Sequence, residues 1–436
     1  MNRKVTLLYI SLACVLSMQA QTRQQMGGVY YAYPEGPSAK TGTFGKATYV
    51  LSDSLNVPQG YTPFYISHYG RHGSRWMPKD DRYVWICKHF EDESNLTPLG
   101  LQVKGMLQRV WENARGNGGK LSKLGALQHQ GIAHRMFERY PQIFAAGNAV
   151  KARSSVVDRC AKSMQAFTSE LHTLQPGLNL DVKTDSADMA WIAYVSPEVK
   201  ALENRTHVQA QVSPRRFLLQ LFKDVSKVDE PLKLMTEMHT VASSIQDVGL
   251  NFSSYPQDIE DGLNALFTDD EFRAIYDANN LRMTINNGTV ATNEDIPARS
   301  AISLWQNIEA EADRALRSVK SSATLRFGHD TALYRLLSLL FDVNVPPAGA
   351  REEASQVVLG DETEKMDRVV PMAANLQMIF YKNAKDSVLV KFMLNERDVM
   401  LSPVGQVIYG THYYSWNVWK QEMHERIHRL EHIRQL

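Results

Sequence analysis

The chain has 436 residues, 44% of them apolar, which is enough to bury a sizeable core in one large domain or in two of ordinary size. Its 48 Lys and Arg nearly balance 47 Asp and Glu, so no global field draws it to nucleic acid or to an anionic membrane, and any affinity for anions must be local.

Residues 1–20 carry Arg3 and Lys4, an apolar run from Leu7 to Leu16 and a short polar stretch ending at Ala20, the layout of a secretory signal peptide. Export to the periplasm is the expectation, with the mature chain starting near Gln21. Ser11-Leu12-Ala13-Cys14 offers a lipidation site, but the residues before Cys14 fit the usual leucine-first pattern poorly, so soluble export is preferred. No later segment has the roughly 18 uninterrupted apolar residues of a membrane span. Outside the leader the cysteines are Cys87 and Cys160, and the sequence leaves open whether they form a disulfide or are separate buried thiols.

Phe64 to His68 is a short β-prone run that exits at Gly70 to Gly73, with a helix expected from about Pro78. Leu121 to Phe137 has helical apolar spacing closed by Pro141. Val150 to Arg153 predicts a second strand, with Ser154-Ser155 preparing a helix through Met164 and Phe167. From about Ser213 to Asn280 every apolar cluster has helical spacing, and Thr268 with Glu271 matches a capping box. Thr324 to Phe327 predicts a third strand, exiting at Gly328-His329-Asp330 into an apolar helix from Leu333 to Phe341. Ser387 to Met393 alternates like a strand that Asp398 to Leu401 would pair. Three strand-exit-helix units predict an α/β fold with an open sheet and a ligand site at the strand carboxyl ends. The expected layout is an α/β catalytic domain over 27–195 and 300–436 with a mostly helical insertion over 196–299.

Arg71-His72-Gly73-Ser74-Arg75 sets two guanidinium groups around an imidazole, with a glycine where backbone must approach a ligand. Planar guanidiniums bind two phosphoryl oxygens at once, and a neutral imidazole nitrogen can attack phosphorus. On its own the string is equally compatible with a solvated loop.

With its companions, the string resembles the histidine acid phosphatase family. That family's signature is Arg-His-Gly-x-Arg early in the chain and His-Asp far downstream, here residues 71–75 and His329-Asp330, with a third arginine in the context Arg153-Ser154-Ser155 followed by Arg159. Leu96-Thr97-Pro98-Leu99-Gly100, Gly125 with Gln128-His129, and Val390 to Glu396 add to the similarity. The resemblance implies a phosphoglycerate mutase-like sheet flanked by helices and hydrolysis of small phosphate monoesters through a phosphohistidine on His72. Arg71, Arg75, Arg153 and His329 would bind the phosphoryl group and Asp330 would act as proton donor, with no metal or cofactor implied. Arg159 is taken as a structural ion-pair partner and His68 and His129 as buried histidines. The proline often following the second arginine is displaced to Pro78, and Asn375 replaces a frequent acidic residue, both affecting the pocket wall. His-Asp is the acid phosphatase and phytase form, whereas Arg159-Cys160, Ala374-Asn375-Leu376 and the Leu-Asn-Glu strand look like the inositol polyphosphate branch. Inositol phosphates or phytate are therefore the favoured substrates, with sugar phosphates or a broad acid phosphatase as the alternative.

His424-Glu425-Arg426-Ile427-His428 matches His-Glu-x-x-His, the helix-borne zinc site of metallopeptidases. A catalytic zinc needs a third ligand and a buried cleft, and the stretch is expected instead as a solvated amphipathic helix.

Overall fold

The computed structural model describes residues 22–33, 43–44, 47–48, 57–250, 262–318, 320–341, 366–399 and 413–432, so the expected signal peptide with Cys14, and Leu401, lie outside the described residues. The run around Phe64 becomes β1 (Thr62–Arg71), longer than expected because pairing with two neighbours carries it through Gly70 and Arg71. Strands β2 (Ala149–Ser154), β3 (Asn179–Thr184) and β4 (Ser321–Gly328) share its direction. An antiparallel flank follows, made of β5 (Asn375–Lys382), β6 (Val388–Leu394), β7 (Arg397–Val399) and β8 (Tyr413–Ser415). The order across the sheet is β8-β6-β5-β1-β4-β2-β3, with β7 on β6, where Asp398 pairs with Met393 as the alternation predicts.

The longer helices are α1 (Asp81–Lys88), α2 (Pro98–Ala114), α3 (Lys123–Arg139), α4 (Asp158–Leu174), α5 (Pro197–Arg205), α6 (Arg215–Leu219), α7 (Pro231–Val248), α8 (Asp269–Asn287), α9 (Ile302–Leu316), α10 (Asp330–Phe341) and α11 (Trp416–His432). Alternation along β1 sends Tyr65 and Tyr69 into a core shared with α9, α10 and α11, and Ile66 into one shared with α3 and α4. Each such side chain fully withdrawn from water contributes about 1.5–3 kcal/mol, so the central strand is anchored from both faces.

Between β3 and β4 every described element is helical, and α8 opens with the Thr268–Glu271 capping box. A third core joins α6, α7 and α8 to α1 and α2 through Phe217, Met238, Phe272, Ile86 and Met106. The helical layer is thus built from two separate stretches of chain. Cys87 on α1 and Cys160 on α4 are both free thiols, so the disulfide left open by the sequence is not formed.

What positions the site is register. Arg71 pairs with Gly328 across β1 and β4, and Ser154 with Phe327 across β2 and β4, so three parallel strands end level with one another. Helix α10 starts at Asp330 directly off β4, whereas α4 begins only at Asp158, after Val156 and Val157 have turned the chain.

Candidate active site

At the end of β1 the Arg71 guanidinium is fully buried. Its Nη1 donates to the carbonyls of Val29 and Val370, 2.7 Å each, and its Nη2 lies 3.0 Å from Asp330 Oδ2. His72 follows, its N–H donating to the Gly328 carbonyl at 3.0 Å. The His72 Nδ1 is 2.9 Å from the Gly73 carbonyl, which can only accept, so Nδ1 carries the proton and Nε2 keeps its lone pair. Burial, then the charges of Arg71, Arg75 and Arg159, hold the imidazole well below its usual pKa, so it is neutral at physiological pH.

Gly73 is required by close approach. A Cβ there would sit 2.3 Å from the Gly125 carbonyl oxygen, because the loop crosses the first turn of α3. Its N–H donates to Ser163 Oγ of α4 at 3.1 Å. Arg75 donates from Nη1 to the Trp76 carbonyl, and its guanidinium stands 5.5 Å from the centre of the Tyr30 ring.

From the neighbouring strand end, the His329 ring meets His72 edge-on at 5.7 Å. Its Nε2 is 3.2 Å from Ser155 Oγ, and its N–H points to the Tyr69 hydroxyl at 3.3 Å. Burial chiefly, with Arg159, Arg71 and Arg75 and against the opposing pull of Asp330, lowers its pKa to about 4. Burial alone would raise the Asp330 carboxyl, but Arg71, His329 and Arg75 outweigh it and bring the group below the ordinary carboxylate value. Asp330 Oδ1 also accepts from the Thr331 N–H at 2.9 Å.

Five of the six sequence-derived residues, Arg71, His72, Arg75, His329 and Asp330, therefore come together at two adjacent strand ends. Arg153 does not. It turns toward the sheet edge, where Nη2 is 2.6 Å from Asp181 Oδ2, Nη1 donates to the Asp181 and Ala152 carbonyls, and Nε is 3.8 Å from Asp188. Arg159, not Arg153, is the arginine whose charge reaches the loop. Standing in the first turn of α4, it acts on His72, His329 and Arg75, and among the described residues it forms no ion pair, so its reading as a structural partner is corrected. The available signal was the six-residue offset, which moves from the strand end into the helix whose N-terminus faces the loop.

His68 and His129 are fully buried beneath the loop, packed on Phe327. Asn375 is buried as well, its N–H on Asn395 Oδ1 and its Nδ2 toward the Tyr33 hydroxyl, so it underlies the loop rather than lining a wall. Glu396 has both oxygens engaged by Arg135 and one also by Tyr33. On α11, His424 is held by Glu309 of α9 at 2.8 Å and His428 stacks on His432, and among the described residues no three His, Cys, Asp or Glu side chains gather as a metal would need. None of the described helices is long and apolar enough to cross a membrane.

Residues 273–395 match the family described as the histidine phosphatase superfamily, branch 2. Multiple inositol polyphosphate phosphatase 1 of Gallus gallus is 24% identical over 306 residues, covering 66% of this chain and 66%, just under two thirds, of the relative's length. Among solved structures, the multiple inositol polyphosphate phosphatase of Bifidobacterium longum with inositol hexasulfate superposes with a TM-score of 0.65 at 17% identity, over 91% of this chain and 97% of that one. The phytase of D. castellii gives a TM-score of 0.62 at 12% identity, over 96% and 89%. At such identities the two structures speak for the fold alone, a central mixed sheet flanked by helices. Strand-end loop, facing His-Asp pair and sequence match together mark a similarity to the histidine phosphatase superfamily, branch 2, whose model matches residues 273–395 of this chain.

Proposed function

We propose that the protein hydrolyses phosphate monoesters, inositol phosphates foremost, through a phosphohistidine on His72. The observation that carries this is the neutral His72, its Nε2 lone pair left available by the Nδ1 contact to Gly73, standing between Arg71 and Arg75 and opposite His329 and Asp330. In the first step Nε2 attacks phosphorus, the N–P bond forms, the ester P–O bond breaks and the leaving oxygen takes a proton from Asp330. In the second, water attacks phosphorus as Asp330 accepts its proton, the N–P bond breaks and orthophosphate leaves with His72 neutral again. Arg71, Arg75, Arg159 and His329 hold the phosphoryl oxygens, and this positioned charge is the main requirement of phosphoryl transfer.

Asp330 must be protonated to act as donor, yet in the free protein Arg71 keeps it ionised. A bound phosphate dianion engages that guanidinium and adds negative charge beside the carboxyl, which raises its affinity for a proton at the moment one is needed. The preference for inositol phosphates is supported by the similarity to the multiple inositol polyphosphate phosphatases of Gallus gallus and Bifidobacterium longum. Export to the periplasm is supported by Arg3, Lys4 and the Leu7–Leu16 run.

A phosphate-release screen over phytate, sugar phosphates, nucleotides and aryl phosphates at several pH values tests the reading. Release from phytate at mildly acid pH, with acid-labile and alkali-stable label on His72 after rapid quench, is expected. Release without any trappable label on His72 would remove the covalent mechanism, and no release from any ester would remove the phosphatase reading.

A further inference from the structure

The nucleophile loop is held from behind by a residue far along the chain. Ser74 donates its N–H to Gln128 Oε1 at 2.8 Å, accepts at Oγ from Gln128 Nε2 at 2.9 Å and donates from Oγ to Asp247 Oδ1 at 2.6 Å. Its carbonyl accepts from the Ser122 N–H at 2.8 Å and faces Ser122 Oγ at 3.0 Å, an atom that also lies 2.7 Å from the Asp247 carbonyl. Ser74, Asp247 and Ser122 thus close a ring, Gln128 holds Ser74 at two further points, and every polar group of Ser74 is engaged. Asp247 stands in the last turn of α7, whose Met235, Met238 and Val241 belong to the helical core. It is fully buried, and its Oδ2 has no hydrogen-bond partner.

As packing alone this arrangement is unfavourable. A buried carboxyl oxygen left unpartnered is destabilising, which an apolar side chain on α7 would avoid. The carboxyl has one directed contact with the loop, and that contact falls on the residue between Gly73 and Arg75. We propose that Asp247 is a positioning residue of the phosphate site: through Ser74 it fixes the backbone between His72 and Arg75, so that the two guanidiniums converge on one phosphoryl group. The inference rests on the phosphate-site reading given above. Its electrostatics agree, since burial pushes the carboxyl up to about 8 while Ser74, Arg75 and Arg71 pull the other way. At mildly acid pH the group is therefore a neutral acid whose carbonyl oxygen accepts the Ser74 hydroxyl. An amide oxygen can do the same.

The test compares the wild type with Asp247→Ala, Ser74→Ala, the double variant and Asp247→Asn. It measures kcat and KM on a phosphate ester, and Kd for inorganic phosphate by calorimetry. Asp247→Ala and Ser74→Ala should each weaken phosphate binding and lower kcat/KM by about tenfold or more, as a displaced clamp does. The double variant should be no worse than the poorer single, because both remove one interaction. Asp247→Asn should return both constants to within about threefold of wild type. An Asp247→Ala protein that melts at lower temperature yet binds phosphate and turns over like the wild type would overturn the proposal, as would single losses that multiply in the double variant. Should Asp247→Ala fail to fold, Ser74→Ala and Asp247→Asn decide the matter by the same constants. A wild type that binds phosphate but cleaves no ester refutes the phosphatase reading while the binding arms still judge Asp247, and a wild type that binds no phosphate overturns both.

Discussion

Arg71 Nη2 and Asp330 Oδ2 are 3.0 Å apart across the ends of β1 and β4, so the phosphate clamp and the proposed proton donor are each other's counter-ion in the free protein. Substrate must break into this pair. Replacing Asp330 by Asn removes the proton and should slow phosphoenzyme formation by about 100-fold or more on alkyl phosphates, whose leaving alkoxide needs it. On 4-nitrophenyl phosphate, whose phenol leaves easily, the loss should stay within about tenfold. Single-turnover rates on the two esters give the comparison, and equal losses would remove Asp330 from the donor role. Glu396 is no replacement, because Arg135 and Tyr33 already engage it.

His72→Ala should abolish turnover and trapped label while leaving a cooperative melt within a few degrees of wild type. The ring is buried but sits at a strand exit, outside the three large cores. Residual turnover near the wild-type level would eliminate it as nucleophile.

Arg153 at the end of β2 and Arg159 in the first turn of α4 should separate cleanly. Arg159→Ala is expected to cost about 2–4 kcal/mol in kcat/KM, the range for losing a charged transition-state ligand. Arg153→Ala should leave kcat/KM near wild type and lower stability by about 0–1 kcal/mol, since its partner Asp181 is half exposed. The reverse pattern in steady-state kinetics would show the assignment to be inverted.

Stability should pass through a maximum near pH 6.5. Burial lowers His68, His129 and His239 to about 3 in the folded protein, so they stay neutral there while the unfolded chain takes up protons below 6.5. Each loses about 1.4 kcal/mol per pH unit as pH falls through that window. Asp247, raised by burial to about 8, works the other way: its contribution is full below the unfolded value of 3.8 and is lost as pH climbs toward 8. Three histidines outweigh one aspartate on the acid side, and above 6.5 the aspartate acts without them. Urea unfolding from pH 4 to 9 should show this dome, with Asp247→Asn flattening the alkaline limb; an equally steep alkaline limb in that variant would exclude Asp247 as its origin.

The parts of this fold that could be read in advance are those where pattern and chemistry coincide locally. The exits at Gly70 to Gly73 and Gly328 to Asp330 each join a β-prone run to glycine and then to a helix, so sequence alone placed them at strand ends. Strand β3 escaped because Asn179-Leu180-Asp181-Val182-Lys183-Thr184 is an exposed edge with little apolar alternation. Strand β5 escaped for the opposite reason: it is buried on both faces, and an apolar run such as Met378-Ile379-Phe380-Tyr381 does not distinguish strand from helix. Arg153 was misjudged because its serine-flanked context imitates the other exits, while the side chain's direction depends on a pairing with β3 that no local signal reveals. Ser74 and Asp247 are 173 residues apart, and only the assembled helical layer joins them.

Arg71 relies on the carbonyl of Val29, 42 residues upstream, within a short segment that packs on α7 and α8 and places Tyr30 against Arg75. The segment from Thr22 to Tyr33 therefore flanks the proposed phosphate site. Clipping by a protease after Tyr33, or a bulky fusion forced onto Thr22, would withdraw an acceptor from a fully buried guanidinium. Preparations meant for enzymology are best tagged at the opposite terminus, and batches that lose activity on storage are best checked first by amino-terminal sequencing.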